Sequence, residues 1–263
     1  MAVLAVVSGG LAAVLWLHHR RFLAYHHHKG VPAPPIGRAA RSAELWSIAT
    51  LGWWHVRGFL RDGMHQPSPP TGRPVVCIHG WTQNATNFWG LRRALHAVGR
   101  PTVGISMWVR FTPLTWYRWR LVRRLRRLAS QLPDGFDVVC HSMGGVVFRM
   151  ALAAHPDLCD RLHTVVTLGS PHCGTAATRG IPLVPELRAM RRSSPLLRDL
   201  PHLPALCPGV RVVTIAGSTD TIVYPISSAI VSGTEAIVID HIGHAGLLTS
   251  PSAWAAVCGA LDA

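Results

Sequence analysis

The sequence predicts an α/β protein: a mostly parallel sheet with helices on both faces. Two observations carry this. Short apolar, β-branched runs alternate with helical patterns from Pro74 onward, and one run, Phe136 to Cys140, leads through a serine and small residues directly into a helix. Short strands that are apolar on both faces belong to a parallel sheet covered on both sides. At 263 residues and 49% hydrophobic content, the chain can bury one sizeable core with an appendage at most.

Ala2 to Leu17 is apolar apart from Ser8, Gly9 and Gly10, and is followed by His18, His19, Arg20 and Arg21. This reads as a membrane-anchor helix, although sixteen residues at ~1.5 Å each reach about 24 Å of a ~30 Å hydrocarbon core. A buried or interfacial helix is the alternative. No basic region precedes the run and no A-x-A site follows, which argues against a cleaved signal peptide. The basic flank would place the body of the protein in the cytoplasm; a soluble cytoplasmic protein is the other reading. The histidines between Tyr25 and Lys29 read as a solvated collar, because adjacent side chains do not converge on one metal ion.

Val31 to Gly37 is a stiff proline connector. Arg41 to Leu60 reads as a helix whose Trp46, Trp53 and Trp54 pack on the domain in preference to lining a membrane interface, and Pro67 to Gly72 is a second linker. The division is therefore 1–30 (anchor and collar), 31–72 (tryptophan helix and linkers) and 73–263 (the α/β domain). Within the last, strands are expected at Pro74 to Ile78, Thr102 to Ile105, Phe136 to Cys140, Thr164 to Leu168, Val210 to Ala216 and Ala236 to Ile239. Helices are expected at Asn87 to Val98, Thr115 to Leu132, Met143 to His155 and Ser252 to Leu261.

In the Thr115 to Leu132 helix, Leu121, Leu125, Leu128 and Leu132 form an inner stripe, while Arg118, Arg120, Arg123, Arg124, Arg126 and Arg127 fill much of the rest. A solvated or membrane-facing surface is the first reading, anionic lipid the second and nucleic acid a distant third. The net charge of +14, nearly all arginine, favours anionic surfaces but says nothing of fold. Cys77, Cys140 and Cys258 lie in apolar runs. Cys159, Cys173 and Cys207 lie in loop-like sequence and can form one bridge. No cysteine spacing suits a metal, and Walker, GxGxxG and HExxH patterns are missing, so no cofactor or metal is expected.

The run Val138-Val139-Cys140-His141-Ser142-Met143-Gly144-Gly145 reads as strand, tight turn, helix. Such a turn projects Ser142 from the sheet edge and aims the unpaired N–H groups of a helix N-terminus at any anion formed beside it. His141 to Gly145 resembles the nucleophile elbow of the α/β-hydrolase superfamily, in wording most like bacterial triacylglycerol lipases and esterases. The departure is Cys140, which stands where GxSxG has its first glycine and implies a slightly opened elbow.

The resemblance implies a serine, acid, histidine order along the chain. Of the two histidines beyond residue 220, His244 lies in a Gly-His-Ala-Gly loop after the last strand, like the family's catalytic histidine, with Gly243 as a hinge. His241 is the alternative and reads as structural. Asp220 follows the Val210 to Ala216 strand in what resembles the acid loop; Asp240 is the runner-up. The oxyanion donors implied are the backbone N–H groups of Met143 and of Trp81, in Ile78-His79-Gly80-Trp81, with His79 bracing the loop. Thr167 to Thr175 also resembles a lipase segment. The insertion 173–208 is implied to be a small cap, with Leu183, Val184, Leu187, Met190, Leu196 and Leu197 lining an apolar underside for acyl chains.

The function implied is cleavage of carboxylic esters, lipid-like, through an acyl-enzyme on Ser142. Thioesterase or acyltransferase chemistry on the same triad is the nearest alternative, and an inactive membrane-tethered binding protein the alternative of another class. Expected partners are a lipid or small ester substrate, and a membrane reached through residues 2–17 and the basic surface.

Overall fold

A computed structural model describes residues 2–60, 72–107, 112–179, 183–192 and 194–262; the side chains of residues 2–15, 59 and 60 fall outside that description. Six strands form one sheet: β1 (Val75–Ile78), β2 (Thr102–Ile105), β3 (Phe136–His141), β4 (Leu162–Leu168), β5 (Arg211–Gly217) and β6 (Glu235–Ile239). Their order is β2-β1-β3-β4-β5-β6, and every neighbouring pair is parallel. Strand side chains alternate between faces, so each apolar run feeds two cores. Val76, Ile78, Val138, Cys140, Val165 and Val212 point into one; Val75, Cys77, Val139, Val166, Val213 and Ile215 point into the other.

The first core is closed by α4 (Leu114–Gln131), α5 (Met143–Ala154) and the insertion helices α6 (Pro185–Ala189), α7 (Pro195–Asp199) and α8 (Leu203–Leu206). The second is closed by α2 (Arg38–Leu60), α3 (Trp89–Ala97), α9 (Gly246–Thr249) and α10 (Pro251–Asp262). At the foot of the sheet, Arg100 forms an ion pair with fully buried Asp137, whose other oxygen accepts the Thr164 N–H at 2.8 Å.

The N-terminal region departs from its sequence reading. Helix α1 (Ala2–Lys29) does not end at the basic residues but continues through the histidines. Its Phe22 and His26 are buried, and Phe22 packs edge-on against Tyr224 with ring centroids 5.4 Å apart. His27, His28 and Lys29 are exposed, as a solvated collar requires, while Phe22 and His26 dock the helix on Tyr224. Among the described residues no helix is long and apolar enough to cross a membrane. The anchor expected over 2–17 lies outside the described side chains except for Trp16 and Leu17, both exposed. The 67–72 linker lies outside the described residues apart from Gly72. In α2, only Trp54 packs inward, while Trp46 and Trp53 are 76% and 61% exposed.

The insertion is fastened at three points. Glu186 of α6, fully buried, accepts hydrogen bonds from the Tyr117 hydroxyl (2.9 Å) and the Thr112 N–H (3.1 Å). Arg149 of α5 is also buried and donates to the carbonyls of His172, Leu200 and Pro201; burial lowers its guanidinium pKa to about 10. The third point is the Cys159–Cys207 disulfide, which closes a loop of 48 residues; Cys173 stays free and exposed. The loop-closure entropy for that length corresponds to about 4 kcal/mol. Cys159→Ser with Cys207→Ser is expected to lower stability by up to about that amount in urea denaturation, against an unchanged midpoint for Cys173→Ser.

Candidate active site

Ser142 stands between β3 and α5 with φ 54° and ψ −129°, a conformation that L side chains rarely adopt. The strain is held by close approach on both sides. A Cβ on Gly144 would lie 2.5 Å from the Ile78 carbonyl, one on Gly145 would lie 2.3 Å from Ser170 Oγ, and one on Gly80 would lie 2.8 Å from Ser142 Cβ. The demand for missing side chains thus falls on Gly80, Gly144 and Gly145. Cys140, where the sequence suggested an opened elbow, projects into the α4/α5 core, and burial holds its thiol protonated, well above its ordinary pKa.

Asp220 and His244 meet. Asp220 Oδ2 lies 2.7 Å from His244 Nδ1, while Oδ1 accepts the N–H groups of Ile222 and Val223, both at 2.8 Å. The carboxylate fixes Nδ1 as the protonated nitrogen and leaves Nε2 with a free lone pair. Burial alone would lower the His244 pKa. The charge and hydrogen bond of Asp220, with Glu44 adding to them, outweigh burial and raise it. Ser142 and His244 line one cavity of about 830 Å3. His241 is exposed, at φ 60°, and its backbone N–H donates to Ser218 Oγ; Asp240 is likewise exposed at the end of β6.

The loop after β1 is braced by His79, as expected. Its Nε2 accepts the Met107 N–H at 2.9 Å, so its Nδ1 carries the proton and donates to the Gly80 carbonyl at 2.7 Å. Gln83 Oε1 accepts the Gly80 N–H at 2.9 Å. Among the described residues, the Trp81 N–H has no acceptor, and Met143, the first residue of α5, has a backbone N–H free of the helix ladder. The His141 ring lies 3.0 Å from Gln83 Oε1 and 3.2 Å from the His244 carbonyl. Both partners are acceptors, and burial holds His141 well below its usual pKa, so the neutral ring serves one of them at a time.

Of the six insertion residues named from sequence, Val184, Leu187 and Met190 line the cavity. Leu183 is 90% exposed; Leu196 and Leu197 pack into the α4/α5 core. Further apolar lining includes Ile48, Leu51 and Val56 of α2 together with Ile222 and Val223. Two further residues stand at the site without having been assigned to it from sequence. His18 of α1 lines the cavity, its Nδ1 buried without a partner. Glu44 of α2 accepts the Ala245 N–H at 2.7 Å and the Gly246 N–H at 3.0 Å. One sequence signal existed for Glu44: it is the sole carboxylate before Asp62.

The backbone at Ser142 makes a direct prediction. Glycine tolerates that conformation without steric cost, so Ser142→Gly is expected to raise unfolding stability by about 1 kcal/mol while removing the hydroxyl. Chemical denaturation of both proteins checks it.

Comparison with known proteins agrees with the geometry. Residues 74–200, from β1 through α7, match the family model described as palmitoyl protein thioesterase. A human serine hydrolase-like protein is 32% identical over 97 residues, 35% of this chain and 48% of its own length. The pimeloyl-[acyl-carrier protein] methyl ester esterase of Aeromonas hydrophila is 28% identical over 125 residues, 45% of this chain and 46% of its own. The chain thus spans less than half of these curated relatives. Among solved structures, Aspergillus fumigatus lipase B superposes with a TM-score of 0.66 at 19% identity, covering 76% of this chain and 56% of the lipase. Bacillus licheniformis lipase BlEst2 in mature form gives 0.61 at 15% identity, covering 75% and 95%. With the parallel sheet and the strained serine between β3 and α5, these matches support an α/β-hydrolase fold for the chain.

Proposed function

We propose that this protein hydrolyses carboxylic esters with long apolar acyl groups through an acyl-enzyme on Ser142. One observation carries the reading: a serine held at positive φ shares an apolar-walled cavity with an imidazole whose far nitrogen is bound by a buried carboxylate. In the proposed mechanism, His244 Nε2 takes the Ser142 proton as Oγ attacks the acyl carbon. Asp220 stabilises the imidazolium, and the N–H groups of Trp81 and Met143 receive the oxyanion. His244 then protonates the departing alkoxide. Water, deprotonated by the same imidazole, releases the acid and restores the serine. The match to a thioesterase family favours thioesters as a second substrate class, for which the steps are the same with a thiol leaving.

Wild-type protein is expected to react with a fluorophosphonate and to turn over p-nitrophenyl esters, with kcat/KM rising with acyl length. Ser142→Ala should remove the label and lower kcat on the order of 10^6-fold. An unlabelled wild type would instead favour an inactive binding protein of the same fold.

We further propose contact with an anionic lipid surface. Trp116 and Trp119 of α4 are 56% and 49% exposed, and Arg120, Arg123, Arg124 and Arg127 line a shallow cavity of about 420 Å3 beside them. Indoles and guanidinium groups suit a headgroup layer. The Cys159–Cys207 bridge favours an oxidising compartment for the domain, against the cytoplasmic side read from the basic flank. At about 1 kcal/mol per cation, Arg123→Gln, Arg124→Gln and Arg127→Gln together should weaken binding to phosphatidylglycerol vesicles roughly a hundredfold at low salt. Phosphatidylcholine vesicles and soluble-ester turnover should be unaffected; equal loss on both lipids would overturn the assignment.

A further inference from the structure

We propose that Glu44, on a helix outside the sheet, is a positioning residue that holds the His244 loop in register with Ser142. The inference rests on the reading of Ser142, Asp220 and His244 as the reacting groups. Both Glu44 oxygens are used, Oε1 on the Ala245 N–H and Oε2 on the Gly246 N–H, so one side chain grips the two residues that follow the histidine. The grip is close. A Cβ on Gly243 would lie 2.4 Å from Glu44 Oε2, so a side chain there would displace the carboxylate. Immediately beyond, Thr249 Oγ1 donates to Ser47 Oγ at 2.7 Å.

The other end of α2 is fastened to the opposite wall of the site. Asn87 Nδ2 donates to the Leu51 carbonyl at 3.1 Å and Thr86 Oγ1 to the Trp54 carbonyl at 2.8 Å, from the turn that follows the Trp81 loop. Helix α2 is therefore a strut between the loop carrying Trp81 and the loop carrying His244, and Glu44 is its contact with the latter.

Glu44 also bears on the charge of the imidazole. The titratable groups facing His244 are Asp220, Glu44, His141 and His18, the last with Arg21 behind it. Burial lowers both His141 and His18, so they stay neutral, and the two carboxylates are the anions that favour imidazolium. Burial raises the Glu44 carboxyl above its ordinary pKa, and Asp220 adds to that rise.

The test compares Glu44→Gln, Glu44→Asp and Ser47→Ala in the full chain. Glutamine keeps the size but presents a donor to one of two N–H groups and removes the charge. Glu44→Gln is expected to lower kcat by up to about a hundredfold with little change in KM, and to move the acid limb of kcat/KM to lower pH, since His244 then protonates less readily. Glu44→Asp, which keeps the charge but shortens the reach, should return the acid limb to its wild-type position with kcat still reduced. Ser47→Ala should match wild type in both. A Glu44→Gln protein with wild-type kcat and acid limb overturns the proposal, as does one whose loss is shared by Ser47→Ala with the limb unmoved. Should Glu44→Gln not fold, wild-type kcat in Glu44→Asp overturns it. If wild type turns over no ester, the hydrolase reading fails separately; the His244 titration followed by NMR, assigned by its loss in His244→Asn, still decides Glu44 by moving to lower pH in Glu44→Gln or staying put.

Discussion

The site depends on one backbone crossing. β3 must pass into α5 within a single residue, and that residue is Ser142 at φ 54°. A turn this sharp brings α5 against the end of β1 and against the segment after β4, which is why Gly144 meets the Ile78 carbonyl and Gly145 meets Ser170. The sheet supplies what holds the turn in place: the Ser142 N–H donates to the Leu168 carbonyl at 2.9 Å, tying the elbow to β4. Strain of this kind persists only where surrounding packing over-determines it. Here the packing is the centre of a six-stranded sheet, with β3 at fully buried positions throughout.

Around this point the charges are arranged with economy. His244 has a carboxylate on one side, a second carboxylate gripping the loop behind it, and two neutral imidazoles. An imidazole so placed gains stabilisation when it becomes a cation, the form it takes as a proton leaves a hydroxyl. The two carboxylates also have backbone donors of their own, from Ile222 and Val223 for Asp220 and from Ala245 and Gly246 for Glu44. Hydrogen bonds from N–H groups stabilise the ionised form and offset part of the cost of burial.

The sheet and elbow were legible because their signals are local. A buried parallel strand is a short run of Val, Ile and Cys, and the elbow is a serine between such a run and two glycines; the observed strand limits fall within two residues of those read from sequence. Asp220 and His244 were legible through their places relative to strand ends. What escaped was long-range. Glu44 reaches its partners across 201 residues, and nothing in the helix around it marks the carboxylate as an acceptor for a loop. The insertion escaped for another reason. Helices of four or five residues and the turns between them have no period to read, so buried Leu197 of α7 and exposed Leu183, just before α6, look alike in sequence. In the histidine run, His26 departs from the solvated reading because Phe22 and Tyr25 beside it pack on Tyr224, while His27 and His28 are exposed as read.

The roof over Ser142 is pinned by a buried carboxylate, a buried guanidinium and a covalent bridge. A roof held at so many places does not swing as one piece. Val184, Leu187 and Met190 of the insertion and Ile48, Leu51 and Val56 of α2 line one cavity with Ser142, so the fastenings that hold the insertion also hold the shape of the wall beside the serine.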